Sequence, residues 1–241
     1  MTKENKEVVA AASTELSADV AGMWGPQEVS AKDIIMPKLM VMQGLSEMVT
    51  DGKAMFGEFR DSLTGELLGS VNKPFDFIPF HLDKLIYVTK RKAGTTDNFK
   101  FDSVIPLTAE TEKLPWNDTE GEDEIKRSQV FNFYCINPED TSMPIIISFK
   151  GMSLRNGKVL NTMAFVKSFI AGSFPPANHY KLIGTKTSND AGTFVVVSTE
   201  QGEKSTNEEI NAAAKWMKML KAGEAKVHEE APAFADDKPQ F

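Results

Sequence analysis

The chain has 241 residues, of which 41% are hydrophobic and 25% charged, so it is long enough to fold around one substantial core with mobile ends. Its single cysteine, Cys135, excludes an intramolecular disulfide framework, and no uninterrupted apolar run approaches the roughly 18–20 residues of a membrane helix. The first residues lack the apolar core of a signal peptide, so we expect a cytoplasmic protein with no membrane partner.

The formal net charge of −7 is unevenly distributed along the chain. Residues 109–126 hold seven acidic and two basic side chains, and residues 228–241 hold four acidic and one basic. Residues 141–189, by contrast, hold six basic side chains and no acidic one. The negative average therefore does not exclude a polyanionic partner, because a polyanion needs only a locally positive surface.

The first half of the chain predicts a mobile arm followed by strands. Residues 1–30 are polar and Ala-rich, so they are expected to form a mobile N-terminal arm. The segments that are rich in β-branched, aromatic and Met residues predict strands at 34–42, 55–60, 75–90, 129–137 and 144–150. Phe131 and Phe133 alternate onto one face, which is typical of core, and the acidic segment 109–126 is expected to be a long loop.

The second half predicts a helix, a hairpin and a second helix. Residues 153–172 carry Val159, Met163, Val166 and Ile170 at helical spacing, which predicts that this stripe faces the core. Strands at 180–187 and 193–199 are expected to form the hairpin. The last helix should begin at the capping-box pair Thr206 and Glu209 and end near residue 222, before a disordered acidic tail at 223–241.

This order of elements predicts the fold. The order is a set of strands, then one helix, then a two-stranded hairpin. It matches an OB-fold, a five-stranded Greek-key barrel whose helix lies between its third and fourth strands. We therefore expect a mainly β domain at 31–222, with an OB-like barrel, an elaborated N-terminal part and a C-terminal helix.

Catalytic and metal-binding patterns are missing from the sequence. The three histidines are scattered, and the common phosphate-loop, nucleophile-elbow and metalloprotease strings do not occur. The acidic run 120–124 could hold a divalent cation, although a solvated loop is the simpler interpretation. We therefore predict a protein that is not an enzyme and needs no metal or cofactor.

The acid-free stretch combines cations with aromatic rings, the mixture that single-strand binders use for phosphates and unstacked bases. Its candidate binding residues are Phe149, Lys150, Arg155, Lys158, Phe165, Lys167, Phe169, Tyr180, Lys181 and Lys186. Phe165 and Phe169 lie away from the predicted core stripe of the helix. Packing of these two rings under the N-terminal segment or another loop stays open as the alternative.

A second basic cluster, Lys90, Arg91 and Lys92, stands at the predicted end of a strand. An OB-type barrel can extend a finger from such a position along a nucleic-acid backbone, while a solvated strand end is the alternative. If the candidate rings of the acid-free stretch prove to be core, Trp24, Phe77, Tyr87 and Phe99 are the next candidates for base stacking.

The chain ends in Asp236, Asp237, a lysine, a proline, a glutamine and Phe241, an acidic segment with a terminal aromatic ring. This ending resembles that of the single-stranded DNA-binding proteins of bacteria and tailed phages, which carry an OB-fold and a disordered acidic tail. The strings at 34–44, 61–69 and 75–80 are similar to those of phage early-gene proteins. The chain departs from the bacterial pattern by its larger domain, its extra C-terminal helix and the lysine within its acidic tip.

The resemblance implies a protein that coats single-stranded DNA during replication or recombination. Its tail residues Asp236, Asp237 and Phe241 would bind replication partners, and it could form homo-oligomers. Two alternatives stay open: a strand-annealing recombination protein, and a phage interaction module that inhibits a host protein.

Overall fold

A computed structural model describes residues 35–170, 172, 175–190 and 192–222, and these residues form a mainly β fold with a few helices. The strands are β1 (Leu39–Val41), β2 (Glu58–Asp61), β3 (Leu67–Ser70), β4 (Phe75–Lys92), β5 (Lys100–Pro106), β6 (Asn117–Glu120), β7 (Asp123–Asn137), β8 (Asp140–Lys150), β9 (Asn178–Asn189) and β10 (Gly192–Lys204). The α-helices are α1 (Glu47–Thr50), α2 (Leu154–Asn161), α3 (Lys167–Ile170) and α4 (Asn207–Lys221), and a π-helical turn at Thr162–Val166 joins α2 to α3.

The strands pair antiparallel in two open sheets. A small sheet has the order β1-β2-β3, and a large one the order β10-β9-β4-β7-β6, with β5 paired to β4 and β8 paired to β7. The long strand β4 links both parts of the large sheet, because Phe75–Phe77 pairs with β9 while the residues from Ile78 onward pair with β7. Among the described residues, no backbone ladder joins β8 to β10, so the sheet does not close into a hydrogen-bonded barrel.

At the edge of β10, side chains form the hydrogen bonds that a neighbouring strand would otherwise form. The Gln43 amide donates to the Val195 carbonyl (3.1 Å) and accepts from the Val195 N–H (2.8 Å). Ser153 Oγ accepts from the Val197 N–H (3.1 Å), and Asn156 Nδ2 donates to the Val197 carbonyl (2.8 Å). These bonds satisfy backbone groups that an open edge leaves unpaired.

The two faces of the β4-β7-β8 sheet pack into different hydrophobic clusters. Phe131 and Phe133 point into the main cluster, as their alternation predicts, together with Phe149 and Tyr180. Tyr134 alternates to the opposite face and joins a second cluster beneath α4. Both faces of the sheet are therefore covered in the part around Phe133 and Tyr134.

The hydrophobic stripe of the helical segment 154–170 was predicted to face the core, but in the structure a different side of the segment does so. Leu160 and Ala164 are fully buried, whereas Val159, Val166 and Ile170 are exposed. The cause is close packing at Gly157, where an added Cβ would lie 2.7 Å from the Phe149 Cβ. Because a side chain does not fit there, the side with Gly157, Leu160 and Ala164 faces the sheet. Of the predicted stripe, Met163 packs against the core, whereas Val159, Val166 and Ile170 face solvent.

Helix α4 begins at its predicted cap and packs against the sheet. Thr206 Oγ1 accepts from the Glu209 N–H while the Glu209 side chain accepts from the Thr206 N–H, which completes the capping box. Ala213 and Trp216 are buried, and the Trp216 ring nitrogen donates to the Thr141 carbonyl (3.3 Å). This helix therefore packs against the sheet along the side that carries Ala213 and Trp216.

The predicted strands and the hairpin are confirmed, but the acidic segment differs from its prediction. Residues 109–126 are a loop only in their first part, since they also contain β6 and the beginning of β7. Strands β3 and β5 were not predicted from the sequence. Within the described residues, no helix has the length and apolarity needed to span a membrane. The predicted arm at 1–30 and the tail at 223–241 lie outside the described residues.

Candidate functional site

Three strands bring aromatic and basic side chains together on one face. On β4, Tyr87 and Arg91 lie on the same side, and Thr89 between them pairs across the sheet with Phe101 of β5 and Lys126 of β7. Directly opposed residues of antiparallel strands share a face. Tyr87, Arg91, Phe99, Phe101 and Lys126, all partly exposed, therefore form one surface, which we call the aromatic face.

Ring contacts hold this surface in place. Tyr87 and Phe101 pack edge to face with centroids 6.0 Å apart, and the Arg91 guanidinium lies 4.5 Å from the Phe99 ring centroid. Such contacts fix the rings, and Tyr87, Phe99 and Phe101 stay partly exposed.

The aromatic face also contains an acid. Arg91 binds Glu124 at 2.7 Å, and this hydrogen bond, with one from the Gly94 N–H, holds the pKa of Glu124 below its usual value. Burial and then the charge of Arg91 lower the pKa of Lys126. The acidic segment and the basic cluster, which are separate in the sequence, are therefore in contact here, and part of the positive charge is neutralised.

The predicted basic cluster is divided between the two faces of β4. Arg91 lies on the aromatic face, whereas Lys90 and Lys92 alternate to the other side. Lys90 forms an ion pair with Asp102 at 3.4 Å, and Lys92 is exposed at the end of the strand. Only Arg91 of the three is thus combined with aromatic rings.

Phe149 and Tyr180 do not present a stacking surface. Both are fully buried in the main cluster, and the Tyr180 ring packs against Phe77, another stacking candidate, which is also fully buried. This corrects the prediction for these rings: each lies on the strand face that points into the core. Phe165 is partly buried against Phe133 (6.1 Å between centroids), while Phe169 is 85% exposed.

The basic residues of the acid-free stretch are all exposed but belong to three places in the fold. Lys150 ends β8, and Lys181 and Lys186 lie on β9, where Lys186 contacts the Phe56 ring at 5.3 Å. The helical segment carries Arg155, Lys158 and Lys167. The tail residues Asp236, Asp237 and Phe241, and the candidate ring Trp24, lie outside the described residues.

Sequence reasoning missed Phe101 and Lys126. Phe101 follows Phe99 with a spacing of two, which is the signal of a strand face, but no strand was predicted there. Lys126 belongs to a segment that was taken as acidic, so only the register of β7 against β4 reveals its position beside Arg91.

A protein-family model matches residues 3–226, and it is described as Pam3 phage gp34-like protein. The chain belongs to this family. The family description indicates a phage protein, in agreement with the phage-like strings in the sequence. No curated protein and no solved structure matches the chain.

Proposed function

We propose that this phage protein binds single-stranded DNA with little sequence preference, through the aromatic face and the basic surface of the helical segment. The observation that carries the proposal is the aromatic face itself, where partly exposed rings stand beside Arg91 and Lys126. Bases that are not paired stack on such rings, and cations next to them neutralise the phosphates.

The strand connections support an OB-like barrel as the scaffold. In an OB-fold the first strand pairs with the second and the fourth, and the helix follows the third. Here β4 pairs with both β7 and β9, β8 follows β7, and the helical segment lies between β8 and β9. In this proposal, the side-chain hydrogen bonds at Val195 and Val197 replace the backbone hydrogen bonds that join the third and fifth strands of a closed barrel, here β8 and β10.

The C-terminal segment would serve protein partners of replication or recombination in the host cytoplasm. Its two aspartates and terminal Phe241 combine charge steering with an apolar anchor, a chemistry that suits a basic pocket. The protein performs no bond-making chemistry in this proposal.

Titration of fluorescent oligo(dT) and of duplex DNA at two salt concentrations tests the binding. We expect preference for the single strand and a shallow salt dependence, with a slope near −2 to −3 if about three to four phosphates are neutralised at ~0.7 per contact. A preference for duplex, or no binding at low salt, contradicts the proposal.

A pair of variants at Phe101 separates stacking from folding. Phe101→Leu keeps an apolar side chain against Tyr87 but removes the ring, while Phe101→Ala removes both. Both variants are expected to lose about 1–3 kcal/mol of binding free energy. Wild-type affinity of a folded Phe101→Leu protein contradicts a stacking role for this ring.

A further inference from the structure

One side of the helical segment is apolar, basic and exposed. Val159, Val166, Phe169 and Ile170 are 47%, 43%, 85% and 78% exposed, and residues 154–170 contain no acidic side chain. We call this surface the helical face. The basic residues beside it, which form no ion pair with any described residue, are Arg155, Lys158 and Lys167.

A second exposed surface has the opposite charge. Leu114 and Trp116 are 38% and 44% exposed, and the exposed Glu110, Glu112 and Lys113 lie next to them in the chain, which leaves one net negative charge beside the two apolar side chains. Neither carboxylate forms an ion pair with any described residue. We call the two glutamates, Leu114 and Trp116 the Trp116 patch. The Trp116 carbonyl accepts from the Arg127 N–H, so the patch lies at the strand edge of β7, beside Arg127, whose side chain points away from the aromatic face.

The two surfaces complement each other. Each has large apolar groups in contact with water, one with cations around them and the other with carboxylates. Within one chain they do not cover each other, since both are exposed. Two helical faces would bring like charges together, which disfavours a symmetric contact between them.

We propose that the Trp116 patch of one copy docks on the helical face of a second copy. Such a contact joins two different surfaces, so an open assembly always has a free helical face at one end and a free Trp116 patch at the other. It therefore grows into an open chain, or closes into a ring when its two ends meet. The contact does not require the proposed DNA binding. Because both use the basic side chains of the helical segment, a docked copy and a single strand would compete for that surface.

Sedimentation velocity of the full chain without DNA tests the contact. We expect concentration-dependent assemblies larger than dimers at low salt, weakened as salt is raised. Trp116→Ala and Phe169→Ala should each weaken association by at least about tenfold, as expected for an aromatic anchor. Leu63→Ala, a control at a 51% exposed residue in the turn between β2 and β3, should leave association unchanged.

Mixing the two variants is the decisive measurement. A Trp116→Ala chain still has its helical face, and a Phe169→Ala chain still has its Trp116 patch, so the mixture should form dimers that grow no further. If Trp116→Ala does not fold, Glu112→Lys takes its place in the mixture with Phe169→Ala. A mixture that stays monomeric while wild type assembles overturns the proposal.

Two further outcomes also overturn it. One is a wild-type chain that is monomeric at all concentrations and salts. The other is loss of assembly on deletion of residues 223–241, because that acidic segment would then be the occupant of the helical face. Since DNA is absent from these experiments, their failure leaves the DNA-binding proposal to be judged by its own titration.

Discussion

Phe149 and Phe169 have the same side chain but opposite surroundings. Phe149 is fully buried, packs edge to face on Phe133 at 5.4 Å and lies against Gly157, whereas Phe169 is 85% exposed at the end of the helical segment. Their exposure, rather than their position in the acid-free stretch, decides which of them can meet a ligand.

Substitution of these two residues should therefore separate stability from binding. Phe149→Ala is expected to lower the free energy of unfolding by about 3–5 kcal/mol, because it removes a fully buried ring. Phe169→Ala should change it by no more than about 0.5 kcal/mol. Urea denaturation measures both. A Phe149→Ala protein as stable as wild type would show that the ring is not part of the core.

His179 links the sheet to α4. Its Nδ1 lies 3.2 Å from Asp76 and its Nε2 3.0 Å from Glu209, the capping residue of that helix. Burial opposes the charge of His179, but the hydrogen bonds to Glu209 and Asp76 outweigh it and raise the pKa of His179. Burial likewise opposes the charge of Glu209, but hydrogen bonds from Thr206 and His179 outweigh it and lower its pKa.

The stability that His179 contributes should depend on pH with a definite sign. A raised pKa means that the contribution is fully present below the ordinary value of 6.5 and is lost as pH rises through the folded-state value. The contribution of Glu209 is present above 4.5 and is lost as pH falls. Denaturant unfolding of wild type and His179→Asn across this range should show the largest difference between pH 4.5 and 6.5. An equal difference at pH 9 would contradict the assignment.

At the scale of elements, the edge of β10 depends on side chains from elsewhere in the chain. Gln43→Ala removes two hydrogen bonds to Val195 and leaves its backbone groups without those partners. We expect a loss of about 1–3 kcal/mol in unfolding free energy and faster hydrogen exchange at the Val195 amide. Gln201→Ala, at an exposed residue of β10, is the matched control. Unchanged exchange at Val195 would show that the strand edge does not need Gln43.

The contact between β4 and β7 sets the charge of the aromatic face. Glu124→Gln removes the carboxylate that neutralises Arg91 and should raise affinity for oligo(dT), most clearly at low salt. Glu139→Gln, at an exposed carboxylate without an ion pair among the described residues, changes net charge equally and is the control. Fluorescence titration measures both. An equal gain from the two variants would indicate a general charge effect and not a site at Arg91.

At the scale of the whole molecule, the acidic C-terminal segment and the basic surfaces belong to one chain. In the proposed function, a segment of roughly 20 residues tethered to the domain would reach an effective concentration near millimolar and would compete weakly with DNA for cations. Deletion of residues 229–241 should raise affinity for single strands at low salt and abolish binding of replication partners. Phe241→Ala should weaken partner binding while DNA affinity stays nearly constant. Weaker DNA binding after the deletion contradicts this role.

The sequence alone determined the local features of this protein. Alternating Phe131 and Phe133 predicted a core face, and the pair Thr206 and Glu209 predicted the beginning of α4, because strand alternation and helix capping depend on residues close together in the chain. The mainly β composition and the hairpin of β9 and β10 followed in the same way.

Only the tertiary structure decided which surfaces meet. The stripe at Val159 and Ile170 is apolar by sequence, yet the close fit of Gly157 on Phe149 turns another side of the helix inward. Arg91 and Glu124 are distant in sequence and are brought together by the register of β4 against β7. Packing and register join residues far apart in the chain, so the periodicity of a single segment cannot determine them.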